Sequence, residues 1–130
     1  MSAVPVLEPA AAYALWAQAY PPHAHNPVML AEERAMLALM PSSLQGQHVL
    51  DAGCGSGRYM LHALHRGARQ VTGVDLSPQM LHRAGTELAQ DWPAARIVLQ
   101  QGSLDHLPLP DTVADLSLCG LVVGHLQQLW

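Results

Sequence analysis

An α/β domain, with parallel strands and helices packed on both faces of the sheet, is what this sequence predicts. Three observations carry that expectation. Short apolar runs alternate with segments of helical spacing. A glycine-rich turn joins the first such run to the helix after it. The chain has 130 residues, half of them hydrophobic, which is enough for the core of one domain. Pro9 to Ala19 is alanine-rich and helix-compatible, and the prolines of YPPHAHNP, Tyr20 to Pro27, end it in a loop or hinge. From Val28 to Met40, the residues Met29, Leu30, Met36, Leu37 and Met40 recur at helical spacing around Glu32, Glu33 and Arg34, a helix expected to lie on the sheet. PSSLQGQ reads as a turn, HVLDAG as a short buried strand, and Arg58 to Arg66 as a helix stopping near Gly67. QVTGVD, Gln70 to Asp75, is a second strand. Ser77 to Gln90 is a helix with Ser77 as N-cap and Pro78 in its first position. RIVLQ is a third strand, and Ala114 to Val123 a fourth, or a strand running into a loop. Such alternation implies parallel βαβ units.

Composition narrows the chemistry. A net charge of -4 leaves no basic footprint for nucleic acid or anionic lipid. All six basic residues are arginine, so mechanisms built on a P-loop lysine or a Schiff-base lysine are excluded. The N-terminus has no positive leader region and carries Pro5 and Pro9, and no apolar run reaches the length of a membrane span. Cys54 and Cys119 lack CxxC spacing, which suggests reduced thiols and a cytoplasmic protein.

VLDAGCGSGRY, Val49 to Tyr59, is the informative stretch. In a parallel α/β sheet, ligands bind beyond the carboxyl ends of the strands, where glycines let backbone approach them closely. The dinucleotide pattern G-x-G-x-x-G would need a third glycine at position 58, which is Arg58; the spacing here is Gly53, Gly55, Gly57. Asp51 stands two residues before the first glycine, where a carboxylate repels a pyrophosphate and suits an ammonium or sulfonium. Asp75 ends the second strand, placed to accept hydrogen bonds from ribose hydroxyls. Together these residues describe a site for a nucleoside with a cationic, phosphate-free tail.

The chain resembles the class I S-adenosylmethionine-dependent methyltransferases, in their small-molecule branch. VLDAGCGSGRY is similar to the family's first motif, VTGVDLSPQML to its second, QGSLDHLPLPD to its third and ADLSLCGLVVGHL to its fourth. The resemblance implies a Rossmann-like sheet, S-adenosylmethionine as cofactor and a small-molecule methyl acceptor. By it, Gly53, Gly55 and Gly57 pass beside the methionine part, with Asp51 placing the amino group, and Asp75 takes the ribose. Leu76 and Met80 pack on the adenine, Ser103 and Leu104 border its edge, and Gly120 lies beside the transferred methyl. The family often has an acid or asparagine where this chain has Ser103. Residues 1–40 are implied to be a helical cap, with Tyr13, Trp16 and Tyr20 closing over the cofactor, and 41–130 the cofactor-binding part of the domain.

His125, after the fourth motif, is the candidate for orienting or deprotonating an acceptor. His23 and His25 form an H-x-H without a matching third ligand, so no metal site is assigned. Methyl displacement needs alignment and desolvation more than a catalytic side chain. Family domains continue past the fourth strand, so the chain is expected to be truncated there, and an uncovered apolar strand LSLCGLVV would favour self-association. Two other readings stay open at this point: a cofactor-binding or interaction module without turnover, and a fragment of an NAD-dependent oxidoreductase.

Overall fold

The structure, a computed structural model, describes residues 27–110 and 113–120. Helix α1 spans Pro27–Leu39, strand β1 His48–Ala52, helix α2 Arg58–His65, strand β2 Gln70–Asp75, helix α3 Pro78–Leu88, strand β3 Ile97–Gln101 and strand β4 Leu116–Leu118. A short 3-10 turn, Ala94–Arg96, leads into β3. The helix-compatible Pro9 to Ala19 segment lies outside the described residues.

The four strands form one parallel sheet in the order β3-β2-β1-β4. Strand geometry sends alternate side chains to opposite faces. Val49, Val71 and Leu118 share one face, and they build the core with Met60, Ala63 and Leu64 of α2 and Leu88 of α3. Met36 and Leu37 of α1 pack against the same cluster, so all three described helices lie on this face. The other face, at Leu50 and Ser117, is bordered by residues 104–110 and by Val113 and Ala114, and Leu104, Leu107, Leu109 and Val113 complete an open groove of about 600 Å³ there.

Local chemistry explains the boundaries. Ser77 accepts from the Met80 N–H at 3.2 Å and Pro78 takes the first helical position, so α3 begins where its sequence signals place it. At the end of α2, the Ala68 N–H reaches the Ala63 carbonyl and Gly67 adopts φ 95°, a left-handed stop.

Strand β4 is shorter than the expected Ala114 to Val123. Its beginning is set by Asp115, whose side-chain Oδ2 accepts the His48 N–H at 2.8 Å while its own N–H donates to the His48 carbonyl. A side chain thus replaces one rung of the ladder. Leu121 to Val123 lie outside the described residues. His48, only 5% exposed, braces the same end of the sheet: its Nδ1 is 2.6 Å from the Val113 carbonyl and its Nε2 2.6 Å from Thr72 Oγ1.

Candidate functional site

The carboxyl ends of β1, β2 and β4 lie side by side because the strands are parallel and adjacent. The loop between β1 and α2 turns over them through three left-handed residues, Gly53, Gly55 and Gly57. Gly53 and Cys54 both donate their N–H groups to the Val74 carbonyl, at 2.7 and 3.0 Å, which ties the loop's start to β2. Two of the glycines answer different constraints. At Gly57 an added Cβ would sit 3.3 Å from both Ala84 Cβ and Leu88 Cδ1, so the missing side chain lets α2 and α3 pack closely. At Gly55 (φ 54°) an added Cβ would meet nothing within 4 Å. Its backbone is open to a ligand's approach.

Asp75 organises this loop. One carboxylate oxygen accepts the Gly55 N–H at 2.8 Å and the other accepts the Ser77 N–H at 2.9 Å, joining the glycine loop to the start of α3. Each oxygen keeps a further lone pair for a hydroxyl.

Asp51 is the contrasting acid. It is 2% exposed, and neither carboxylate oxygen has a hydrogen-bond partner among the described residues. Burial raises its pKa from 3.8 to about 7; the charges of Asp75 and Glu32 push the same way, and only Arg58 opposes them. A buried carboxylate without donors is costly, and a cation or an N–H donor from a ligand relieves that cost.

Among the other expected site residues, Leu76 is 45% exposed beside Asp75, an open apolar surface, whereas Met80 is 1% exposed and buried in α3. Ser103 sits in a tight turn in which its Oγ accepts the Asp105 N–H at 3.2 Å, so an acid lies two residues from the position where the resemblance leads one to look for it. Leu104 lines the groove under the loop. Gly120 follows β4, beside Glu32 and Tyr59. His125, the aromatic residues Tyr13, Trp16 and Tyr20, and the His23/His25 pair lie outside the described residues.

Sequence reasoning passed over Glu32, Arg58 and Tyr59. The Tyr59 hydroxyl and Arg58 Nη2 both donate to Glu32 Oε2, the latter at 2.8 Å. The legible signal was the arginine directly after the third glycine; its partner on α1 is 26 residues earlier, a pairing that only the packing of α1 on α2 reveals. Among the described residues, no group of three or more His, Cys, Asp or Glu side chains could hold a metal ion, and no helix is long and apolar enough to cross a membrane.

Comparison with known proteins agrees with this geometry. Residues 49–129 match the family model described as a methyltransferase domain. A malonyl-[acyl-carrier protein] O-methyltransferase from Pectobacterium atrosepticum is 40% identical over 88 residues, covering 68% of this chain and 32% of the relative. A ribosomal protein L11 methyltransferase from Actinobacillus succinogenes is 34% identical over 87 residues, 67% of this chain and 29% of the relative. The crystal structure of an S-adenosylmethionine-dependent methyltransferase from Mesorhizobium loti superposes with a TM-score of 0.60 at 36% identity, over 68% of this chain and 39% of that one. The chain thus spans about a third of the length of these curated relatives. The parallel sheet, the glycine loop between two acids and the match over residues 49–129 place the chain in the family of methyltransferases whose cofactor is S-adenosylmethionine.

Proposed function

We propose that the described residues form the cofactor site of a methyltransferase acting on a small-molecule acceptor, with Asp51 as the group that receives the cationic end of the cofactor. The observation that carries this is the buried Asp51 carboxylate, without donors, at the carboxyl end of β1. When bound, S-adenosylmethionine supplies a methyl group already activated on a sulfonium. The protein's part is alignment and exclusion of water.

In this reading Asp51 holds the ammonium directly or through water, and Gly53 and Gly55 let backbone run beside the methionine part. Gly57 keeps α2 and α3 close enough to hold that loop in place. Asp75, already positioned by two N–H donors, accepts from the ribose. Exposed Leu76 covers the adenine with Met80 supporting it from below, and Ser103 and Leu104 border its edge. Gly120 lies where a side chain would crowd the reacting methyl, and His125 is the candidate acceptor-side base. A small acceptor suits a chain without lysine and with a net charge of -4, although relatives named for a carrier-protein ester and for a ribosomal protein show how widely acceptors differ.

Calorimetric titration of the 130-residue chain with S-adenosylhomocysteine and with NADH tests this. Saturable binding of S-adenosylhomocysteine, weakened at least tenfold in Asp51→Asn and absent for NADH, is the expected result. Tighter binding of NADH would sink it.

A further inference from the structure

A polar seam runs between helix α1 and α2. Arg58, His62 and the C-cap residue Arg66 recur every four residues along α2, one above the other. Arg58 binds Glu32, His62 Nε2 lies 2.7 Å from Glu33 Oε1, and Arg66 Nη1 donates to the Leu37, Met40 and Pro41 carbonyls at 3.0 to 3.2 Å. Met29 is α1's fully buried residue, whereas Val28, Leu30 and Leu39 are exposed. Arg66 therefore anchors the end of α1, and the glutamates hold its earlier turns.

Glu32 does more than close the seam. Its Oε2 takes both Tyr59 and Arg58, but its Oε1 is buried without a partner among the described residues. That free oxygen lies where a Cβ on Gly120 would come within 2.5 Å. Asp51 pairs in register with Leu118, two residues before Gly120, so the orphaned oxygens of both acids border the same corner between β1 and β4. Arg58 completes the corner, with Nε and Nη1 also buried and unpaired among the described residues. Arg58 is bonded to Glu32 and reaches Asp51 only through space, so Glu32 and Asp51 still repel one another.

We infer that Glu32 is a second carboxylate of the cation site, delivered by α1, so that a cationic ligand in that corner and the docking of α1 stabilise each other. A ligand ammonium between the two acids removes their repulsion and gives Oε1 a donor. Linkage makes the effect reciprocal: whatever favours docked α1 also tightens the ligand. This rests on the Asp51 reading above, and adds a residue and a moving element to it.

The test compares S-adenosylhomocysteine, which carries the ammonium, with methylthioadenosine, which lacks the amino-acid end. Calorimetry on Glu32→Gln should show about tenfold weaker S-adenosylhomocysteine binding, the size of one charge-assisted hydrogen bond, with methylthioadenosine affinity unchanged within about twofold. Hydrogen exchange on the unaltered chain needs no variant: residues 27–39 should gain protection with S-adenosylhomocysteine and not with methylthioadenosine. Equal weakening of both ligands in Glu32→Gln would make Glu32 merely structural and overturn the inference, as would equal protection of α1 by both. Tight S-adenosylhomocysteine binding unaffected by Glu32→Gln would overturn this inference alone. Failure of the unaltered chain to bind either ligand would overturn the proposed function with it.

Discussion

Replacing Asp51 with asparagine should make the ligand-free chain more stable at alkaline pH while weakening its hold on the cofactor. The magnitude follows from the shift. Asp51 has a folded-state pKa raised from 3.8 to about 7, so the fold takes up a proton that the unfolded chain has released between those values. Relative to acid pH, where the carboxyl is neutral in both states, stability therefore falls as pH climbs from about 4 and stops falling above about 7. The full shift corresponds to about 4 kcal/mol. Asparagine removes this dependence but leaves a buried amide short of partners, a cost of about 1–3 kcal/mol that does not vary with pH. That constant cancels when the variant is compared with the parent at two pH values. Between pH 5 and pH 8 the stability difference should move by about 2–3 kcal/mol in favour of asparagine. Urea denaturation of both proteins across that range measures it. A difference that stays flat with pH, or moves toward aspartate as pH rises, would refute the account of Asp51 as an uncompensated buried acid. Adding S-adenosylhomocysteine should then restore the advantage of aspartate, because a ligand stabilises only the state that binds it.

Four further outcomes follow from the same geometry. Gly57→Ala should cost about 1–3 kcal/mol, since it puts a Cβ at φ 93° and 3.3 Å from Ala84 and Leu88; Gly55→Ala should cost about 1 kcal/mol in urea denaturation, and calorimetry should show its larger effect on ligand affinity. Asp75→Ala releases both the Gly55 and Ser77 N–H groups and should lower stability and ligand binding together, whereas Ser77→Ala, which removes the cap on the Met80 N–H and a long hydrogen bond to Gln79, should cost about 1 kcal/mol and leave affinity nearly unchanged. Thr72→Val leaves His48 Nε2 without its partner and should lower the denaturation midpoint by an equivalent of about 1–3 kcal/mol, with no change in ligand affinity because the pair lies at the far end of β1. Strand β4 is an edge among the described residues, and sedimentation should show concentration-dependent association that Ser117→Pro abolishes; a monomer at every concentration would remove self-association through this strand.

Asp75 has a structural role beside the ribose contact proposed for it. Its carboxylate joins the glycine loop to α3. Loss of binding in Asp75→Ala is therefore ambiguous between a missing ribose contact and a displaced loop. Asp51 gives the cleaner probe, because its carboxylate bonds to nothing among the described residues.

Much of this molecule is written in local sequence, because its signals act over a few residues. Alternation of apolar and polar positions, Ser77 with Pro78, and Gly67 after α2 define elements through sterics and nearest hydrogen bonds, and their limits lie within two residues of the expected ones. The glycine spacing and the acids at the ends of β1 and β2 were legible for the same reason, since each motif is continuous. Strand β4 was legible as a strand, but its start at Leu116 was not, because the rung before it depends on Asp115 meeting His48, 67 residues earlier. The partnership of Glu32 with Arg58 and Tyr59 was hidden likewise: two glutamates on an amphipathic helix look like a solvated face until α1 is laid on α2. Asp51 shows the division most plainly. Its sequence position named it as a ligand for a cation, but only the packed structure deprived it of every donor among the described residues. Its pKa, and with it the link between stability and binding, is set by burial and by charges on α1, α2 and β2, none of which a linear motif contains.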